Sequence, residues 1–155
     1  MATLDQCIVD ACKKSWESEY LKGTKNKNNC SGFVKSVSQQ VEVFLPATAD
    51  ADGIIDALAE TWQILSDGSE AARRASVGEL VIAGLKSSDH TPSCNNGHVV
   101  IVVSGELYRH ACPKCWCGSL GVAQSQGEKS VGEVWNRTDR DNVTYYGYRS
   151  AVCKK

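Results

Sequence analysis

Cys30 and His98 pose the chemical question. Cys30 stands in Asn29-Cys30-Ser31-Gly32-Phe33-Val34, where apolar residues begin to recur at helical spacing. A cysteine in the first turn of a helix feels unpaired backbone N–H groups and the positive end of the helix dipole, which favour thiolate over thiol. The small residues Ser31 and Gly32 leave room for a substrate backbone beside the sulfur. The alternative is a buried, inert thiol. His98 follows Gly97 at the head of a β-branched run over 98–104. A nucleophilic cysteine needs an imidazole to take its proton and later to protonate a leaving amine. Cysteine peptidases supply the pair from a helix start and a strand far apart in sequence, an order that Cys30 and His98 fit. His90, in a polar loop, and His110, near a strand end, compete for the role of base, and a satisfied strand-end histidine is the bland reading of His98.

A second cluster, Cys112-Pro113-Lys114-Cys115-Trp116-Cys117, permits other chemistry. With Cys94 or His98 it offers ligands for tetrahedral zinc, but a second Cys-x-x-Cys is missing and the Cys-x-Cys spacing suits one ion poorly. Paired thiols, or a thiol touching the imidazole, are the competing readings. Cys7 and Cys153 stand near the two ends of the chain. A bridge between them would close almost the whole domain, and the alternative is two free thiols.

These residues need elements to hold them. Leu4, Ile8, Ala11, Cys12 and Ser15, continued by Trp16 and Tyr20, predict an amphipathic helix over 4–21. The Asn-rich stretch 23–29 is a loop. A second helix begins at Asn29 or Cys30 and buries Phe33, Val34, Val37 and Val41. Asp52 is the expected cap of a third, whose Ile54, Ile55, Leu58, Trp62 and Leu65 share a face. A short Ala-rich helix follows over 69–76. Strands are expected over 79–85, 98–104 and 143–149, with a turn at Gly105-Glu106 into a further strand over 107–110, so that residues 112–117 fold back beside the start of the His98 strand. The stretch 118–132 reads as polar and Gly-rich. Helices first, then an antiparallel sheet, make this an α+β chain.

Composition bounds the rest. The chain has 155 residues, 17 Lys and Arg against 18 Asp and Glu, and 8 Cys. This length fits one domain over 1–155, able to bury roughly 70% of its unfolded surface. The net charge of −1 argues against nucleic-acid binding through one large basic face. The longest aliphatic run, over 99–103, is far short of the ~20 residues a membrane helix needs. The start, Met1-Ala2-Thr3-Leu4-Asp5, lacks the basic and apolar regions of a secretory signal. Eight cysteines nevertheless suit an oxidising destination. No large apolar surface pattern is left unexplained, which favours a monomer.

The chain resembles the first family of type VI secretion amidase effectors, which cleave peptidoglycan in rival bacteria. The likeness covers almost the whole chain. It rests on Leu4-Asp5-Gln6-Cys7-Ile8-Val9, Asn29-Cys30-Ser31-Gly32-Phe33-Val34, Leu80-Val81-Ile82-Ala83-Gly84-Leu85-Lys86 and Gly97-His98-Val99. It continues in Cys115-Trp116-Cys117-Gly118-Ser119, Gln124-Ser125-Gln126-Gly127 and Val134-Trp135-Asn136-Arg137-Thr138-Asp139-Arg140. The resemblance implies a papain-like, NlpC-type α+β fold, with Cys30 as nucleophile and His98 as base. It implies Cys117 as the residue orienting the imidazole, a weaker orienter than Asp or Asn, and a Cys7–Cys153 disulfide. Ser31, Gly32 and Gly97 are the expected substrate-binding positions.

The implied substrate is the peptide stem of peptidoglycan, cut between γ-D-glutamate and meso-diaminopimelate, with the diaminopimelate–D-alanine crosslink as the alternative bond. Lys22, Lys25 and Lys27 are candidates to meet stem carboxylates. No cofactor, metal, nucleic acid or membrane is implied. The implied partners are the secretion apparatus, which bypasses the signal-dependent route, and an immunity protein that blocks the site; the implied place of action is the recipient periplasm. The loop over 87–96 is longer than expected of the family and carries Cys94, and Cys112 also looks like an addition. Together they suggest a second disulfide, Cys94–Cys112. A zinc-stabilised binding module and a cell-wall binder with a dead site are the non-enzymatic alternatives.

Overall fold

A computed structural model of the chain describes residues 4–90, 97–109, 111–118, 127–136 and 138–153. Three helices come first: α1 (Gln6–Glu17), α2 (Cys30–Gln40) and α3 (Ala51–Thr61). A short strand β1 (Gln63–Leu65), helix α4 (Gly68–Ser76) and strand β2 (Glu79–Leu85) follow. Strands β3 (His98–Val102), β4 (Lys114–Cys117) and β5 (Gly127–Ser130), helix α5 (Val131–Val134) and strand β6 (Thr144–Ala151) complete the order. The six strands form one antiparallel sheet in the order β1-β6-β2-β3-β4-β5. The architecture is α+β, as expected.

The sheet is covered on both faces, which explains why β2 and β3 are almost continuously apolar. Leu80, Ile82, Val99 and Ile101 pack with Ile8 of α1, Phe33 and Val37 of α2, and Ile54 and Leu58 of α3. Val81, Ala83, Val100 and Val102 pack with Ala71 and Ala75 of α4, Val131 of α5, Trp135, Cys115 and Cys117. Each fully buried side chain of the size of Phe33 or Ile101 stabilises the fold by roughly 1.5–3 kcal/mol. Helix α4 is tied to β2 by Arg74, whose guanidinium donates to both Glu79 carboxylate oxygens at 2.7 Å. Cys7 and Cys153 are joined, 146 residues apart in sequence.

Several expectations are corrected. Helix α1 stops at Glu17, and Tyr20 lies beyond it. The cap of α3 is Asp50, which accepts from Gly53 N at 2.8 Å; Asp52 lies inside the first turn and turns elsewhere. Leu65 belongs to β1, because α3 ends at Thr61 and the chain turns extended at Trp62. Residues 107–109 form no strand, only an isolated bridge between Tyr108 and Cys112. The strand that pairs with β3 is β4, and the stretch read as polar loop supplies β5 and α5. Cys112 is a free, buried thiol, and Cys94, its expected partner, lies outside the described residues, as does His110.

Candidate active site

The start of α2 is built by asparagines. Asn26 is fully buried, and its amide nitrogen donates to Ser15 O at 2.7 Å and Ser36 Oγ at 2.8 Å. Its side-chain oxygen accepts from Tyr20 N at 2.9 Å. One residue thus fastens the loop before the nucleophile to α1 and α2. Asn29 then caps α2, accepting from Gly32 N at 3.1 Å and Ser31 Oγ at 3.0 Å. Gly32 is needed for this approach, since a Cβ there would stand 2.5 Å from the Asn29 amide nitrogen. Cys30 is therefore the first residue of a fixed helix, half-buried, with its sulfur exposed to the dipole and to Val99 N–H.

His98 is delivered by β3, paired to Leu85 of β2. The approach to it is pinned by Asp52, whose carboxylate accepts from both Ser87 N and Ser87 Oγ. Gly97 passes so close that a Cβ at this position would overlap the Asp52 carboxylate. Strand β4 runs beside β3 with Val102 opposite Cys115 and Ile101 opposite Trp116. Cys117 is consequently carried toward the His98 end on the same face. Gly118 closes the arrangement: its Cα packs on the Asn26 carbonyl so tightly that a Cβ would overlap the oxygen. The end of β4 and the start of α2 are in direct contact through a glycine.

The imidazole sits between two thiols. Burial opposes charging the ring, but its contacts with Cys117 and then Cys30 outweigh this and lift the His98 pKa to about 10. Burial likewise opposes the Cys30 thiolate, and the contact with His98 overcomes it, leaving the thiol below its ordinary range. Cys117 is brought down to about 6 by its contact with Cys115 and, against burial, by His98. Cys115, deeper and fully buried, is pushed well up. Among the described residues, buried His98 Nε2 has no partner in ordinary hydrogen-bond geometry. Aim comes from an aromatic neighbour. Trp135, only 4% exposed, meets the imidazole edge to face with ring centroids 5.3 Å apart and an interplanar angle of 68°.

One cavity of about 520 Å³ is lined by Asn29, Cys30, Ser31, Asp50, Gly97 and His98, among others. Thiolate, imidazolium and a helix N-terminus meeting at such a cleft can perform acyl transfer. Among the described residues, no group of three or more His, Cys, Asp or Glu side chains is arranged to hold a metal ion.

No family model matches the chain. A curated relative does: the peptidoglycan amidase Tse1 of Pseudomonas aeruginosa is 54% identical over 155 residues, spanning 99% of this chain and 96% of the relative. The chain belongs to the family of type VI secretion amidase effectors.

Within this effector, the expected site residues fall into two groups. Cys30, His98 and Cys117 are brought together, and Ser31 and Gly97 line the cleft beside them. Gly32 is buried behind the Asn29 cap and does not line the cleft. Lys25 and Lys27 face Glu17 at 3.0 and 3.6 Å, with Lys27 also over the Trp16 ring, so their charge is engaged on the effector's own surface. His90 is not part of the pair; its Nδ1 lies 3.1 Å from Asp139. Asn26, Asp52, Gly118 and Trp135 were not singled out as site residues from sequence. The Asn-rich loop and the run containing Trp135 were visible there, but nothing in their spacing points at Cys30 or His98.

Proposed function

We propose that this effector hydrolyses peptidoglycan peptide stems at the γ-D-glutamyl–meso-diaminopimelate amide, with Cys30 as nucleophile and His98 as general base and acid. The observation that carries the reading is that Cys30, at the start of α2, and His98, at the head of β3, line one cleft, in a chain 54% identical to a protein named as a peptidoglycan amidase. The Cys30 thiolate attacks the amide carbon, and the carbonyl oxygen gains charge at the start of α2, where the Cys30 N–H is available to it. The His98 imidazolium protonates the departing diaminopimelate amine as the C–N bond breaks, leaving a thioester. The neutral imidazole then takes a proton from the water that attacks the thioester, and collapse of the adduct releases the acid and restores the Cys30 thiolate beside protonated His98. Cys117 keeps the ring charged before attack, and Ser31 and Gly97 form the cleft walls along which the stem lies.

Delivery by a type VI apparatus to the recipient periplasm, action there as a single monomeric domain, and a cognate immunity protein that occupies the cleft belong to the same reading. The Cys7–Cys153 bond suits that oxidising compartment. Digestion of diaminopimelate-type peptidoglycan, read by mass spectrometry, tests the proposal. Wild type is expected to release fragments beginning at diaminopimelate, and Cys30→Ala and His98→Ala to lose activity by at least ~10³-fold. Fragments freed only at the diaminopimelate–D-alanine crosslink would reassign the bond. Digestion undiminished in Cys30→Ala would remove the nucleophile, and no fragments from any form would leave a binding module.

A further inference from the structure

The cleft holds one charge that the mechanism does not use. Asp50 is exposed and lines the same cavity as Cys30 and His98, where it is the one carboxylate among the described lining residues. It caps α3, and its Oδ1 accepts from Gly53 N at 2.8 Å. The cap does not explain the charge, since Asn and Ser cap a helix equally well. Activation of Cys30 does not explain it either, because a carboxylate that shares a cleft with a thiol opposes its ionisation. Among the described residues no Lys, Arg or His forms an ion pair with Asp50. Lys35 of α2 reaches the loop before Asp50, but its ammonium donates to Ala47 O at 2.9 Å. Asp50 thus offers the cleft a carboxylate that no described cation pairs.

Its place along the cleft points to one part of the substrate. Gly97, before β3, and Asp50 and Ala51, at the start of α3, all line the cavity. The two segments meet at Asp52, against whose carboxylate Gly97 packs. Asp50 therefore belongs to the His98 side of the cleft. His98 protonates the departing amine, so the diaminopimelate half of the substrate lies along this side. Diaminopimelate carries a second amino group on its D-centre, at the far end of its side chain. In an uncrosslinked stem joined to muramic acid that amine is the only cation, and the other ionised groups are carboxylates.

We propose that Asp50 is a specificity-determining residue whose carboxylate accepts hydrogen bonds from the free D-centre ammonium of diaminopimelate. The inference rests on the γ-D-glutamyl–meso-diaminopimelate reading above and names the part of the stem that the site selects. The carboxylate on the same carbon as that ammonium is offset by the positive end of α3, which Asp50 caps. A charge-assisted hydrogen bond of this kind contributes about tenfold in affinity.

The test uses disaccharide tetrapeptides from diaminopimelate-type peptidoglycan, with the D-centre amine left free or acetylated. They are cut by wild type and by Asp50→Asn, which keeps the cap and removes the charge. Wild type should cut the free-amine form about tenfold better in kcat/KM, with the difference lying in KM. Asp50→Asn should lose about tenfold on that form and nothing on the acetylated one, so that the preference disappears. Added salt should narrow the wild-type preference and leave the variant unmoved. Two further readouts separate binding from support of the fold: melting temperature and Cys30 alkylation by iodoacetamide, neither of which should fall in Asp50→Asn. A wild type without preference, a preference kept in Asp50→Asn, or equal loss on both substrates would overturn the proposal. Failure of the parent reading shows differently. Wild-type products that do not begin at diaminopimelate, or cleavage undiminished in Cys30→Ala, would remove the bond or the nucleophile, and this inference with it.

Discussion

The two halves of the site are held by opposite means. At the start of α2, the nucleophile is fixed by hydrogen bonds between residues at most 11 positions apart: Asn26 to Ser15, Tyr20 and Ser36, and Asn29 to Ser31 and Gly32. At the start of β3, the base is held among residues from four separate segments, of which Asp52, Cys117 and Trp135 are distant in sequence and Ser87 is nearer. The first half is polar and local, and each bond in it can be removed singly. The second is sulfur, carboxylate and indole packed around one ring, where position depends on contact rather than on directed bonds. A helix N-terminus is thus a ready-made activating site, whereas an imidazole without a strong acceptor must be boxed in.

The sharpest way to break this contrast is at a point where the halves touch. Gly118 lies against the Asn26 carbonyl with no room for a Cβ. Gly118→Ala must push the end of β4, and Cys117 with it, away from the start of α2. A displacement of about 1 Å between nucleophile and base is enough to cost on the order of 10²-fold in kcat/KM. Peptidoglycan turnover measured beside circular dichroism checks this: a folded variant with wild-type turnover would mean that the two halves are positioned independently.

The next effect is confined to the base. Trp135→Leu keeps an apolar filling but removes the indole that meets the His98 ring. An aromatic pair contributes about 0.5–1.5 kcal/mol beyond burial, so kcat/KM should fall up to about tenfold, with Trp135→Phe recovering most of it. Equal loss in Phe and Leu would assign Trp135 to general packing and leave the ring aimed by sulfur alone.

The same contrast decides what could be seen in the sequence. The α2 start was legible because its information is local: a capping Asn, a Cys, then Phe33, Val34 and Val37 at helical spacing. Strands β2 and β3 were legible because they are buried on both faces and read as unbroken apolar runs. Strand β5, Gly-Glu-Lys-Ser at the sheet edge, carries no such pattern and is defined by its pairing with β4. Asp50 and Asp52 are equivalent as cap candidates until the backbone shows that Asp50 precedes the first turn, which frees Asp52 to hold Ser87. The contact of Trp135 with His98 joins residues on separate elements, and neither residue's neighbours encode it. Cysteine spacing alone could not choose partners; the Cys7–Cys153 pairing came from the family resemblance and is present in the fold.

The smallest expected effect sharpens the local half. Asn29→Ala removes the acceptor of Gly32 N and Ser31 Oγ while leaving the backbone of α2 and the Asn26 bonds in place. Loss of an N-cap of this kind costs about 1 kcal/mol, which should appear as a modest drop in melting temperature. The activity loss should be of similar size, about fivefold, because the first turn frays where the Cys30 N–H and the dipole act on the reacting atoms. Asn29→Asp separates the two contributions. It restores the cap and therefore the stability, but it sets a carboxylate beside a thiol that must ionise, so the acid limb of Cys30 alkylation should move to higher pH. If Asp restored stability and left that limb unmoved, the field at the start of α2 would be too well screened to matter, and activation of Cys30 would fall wholly to His98.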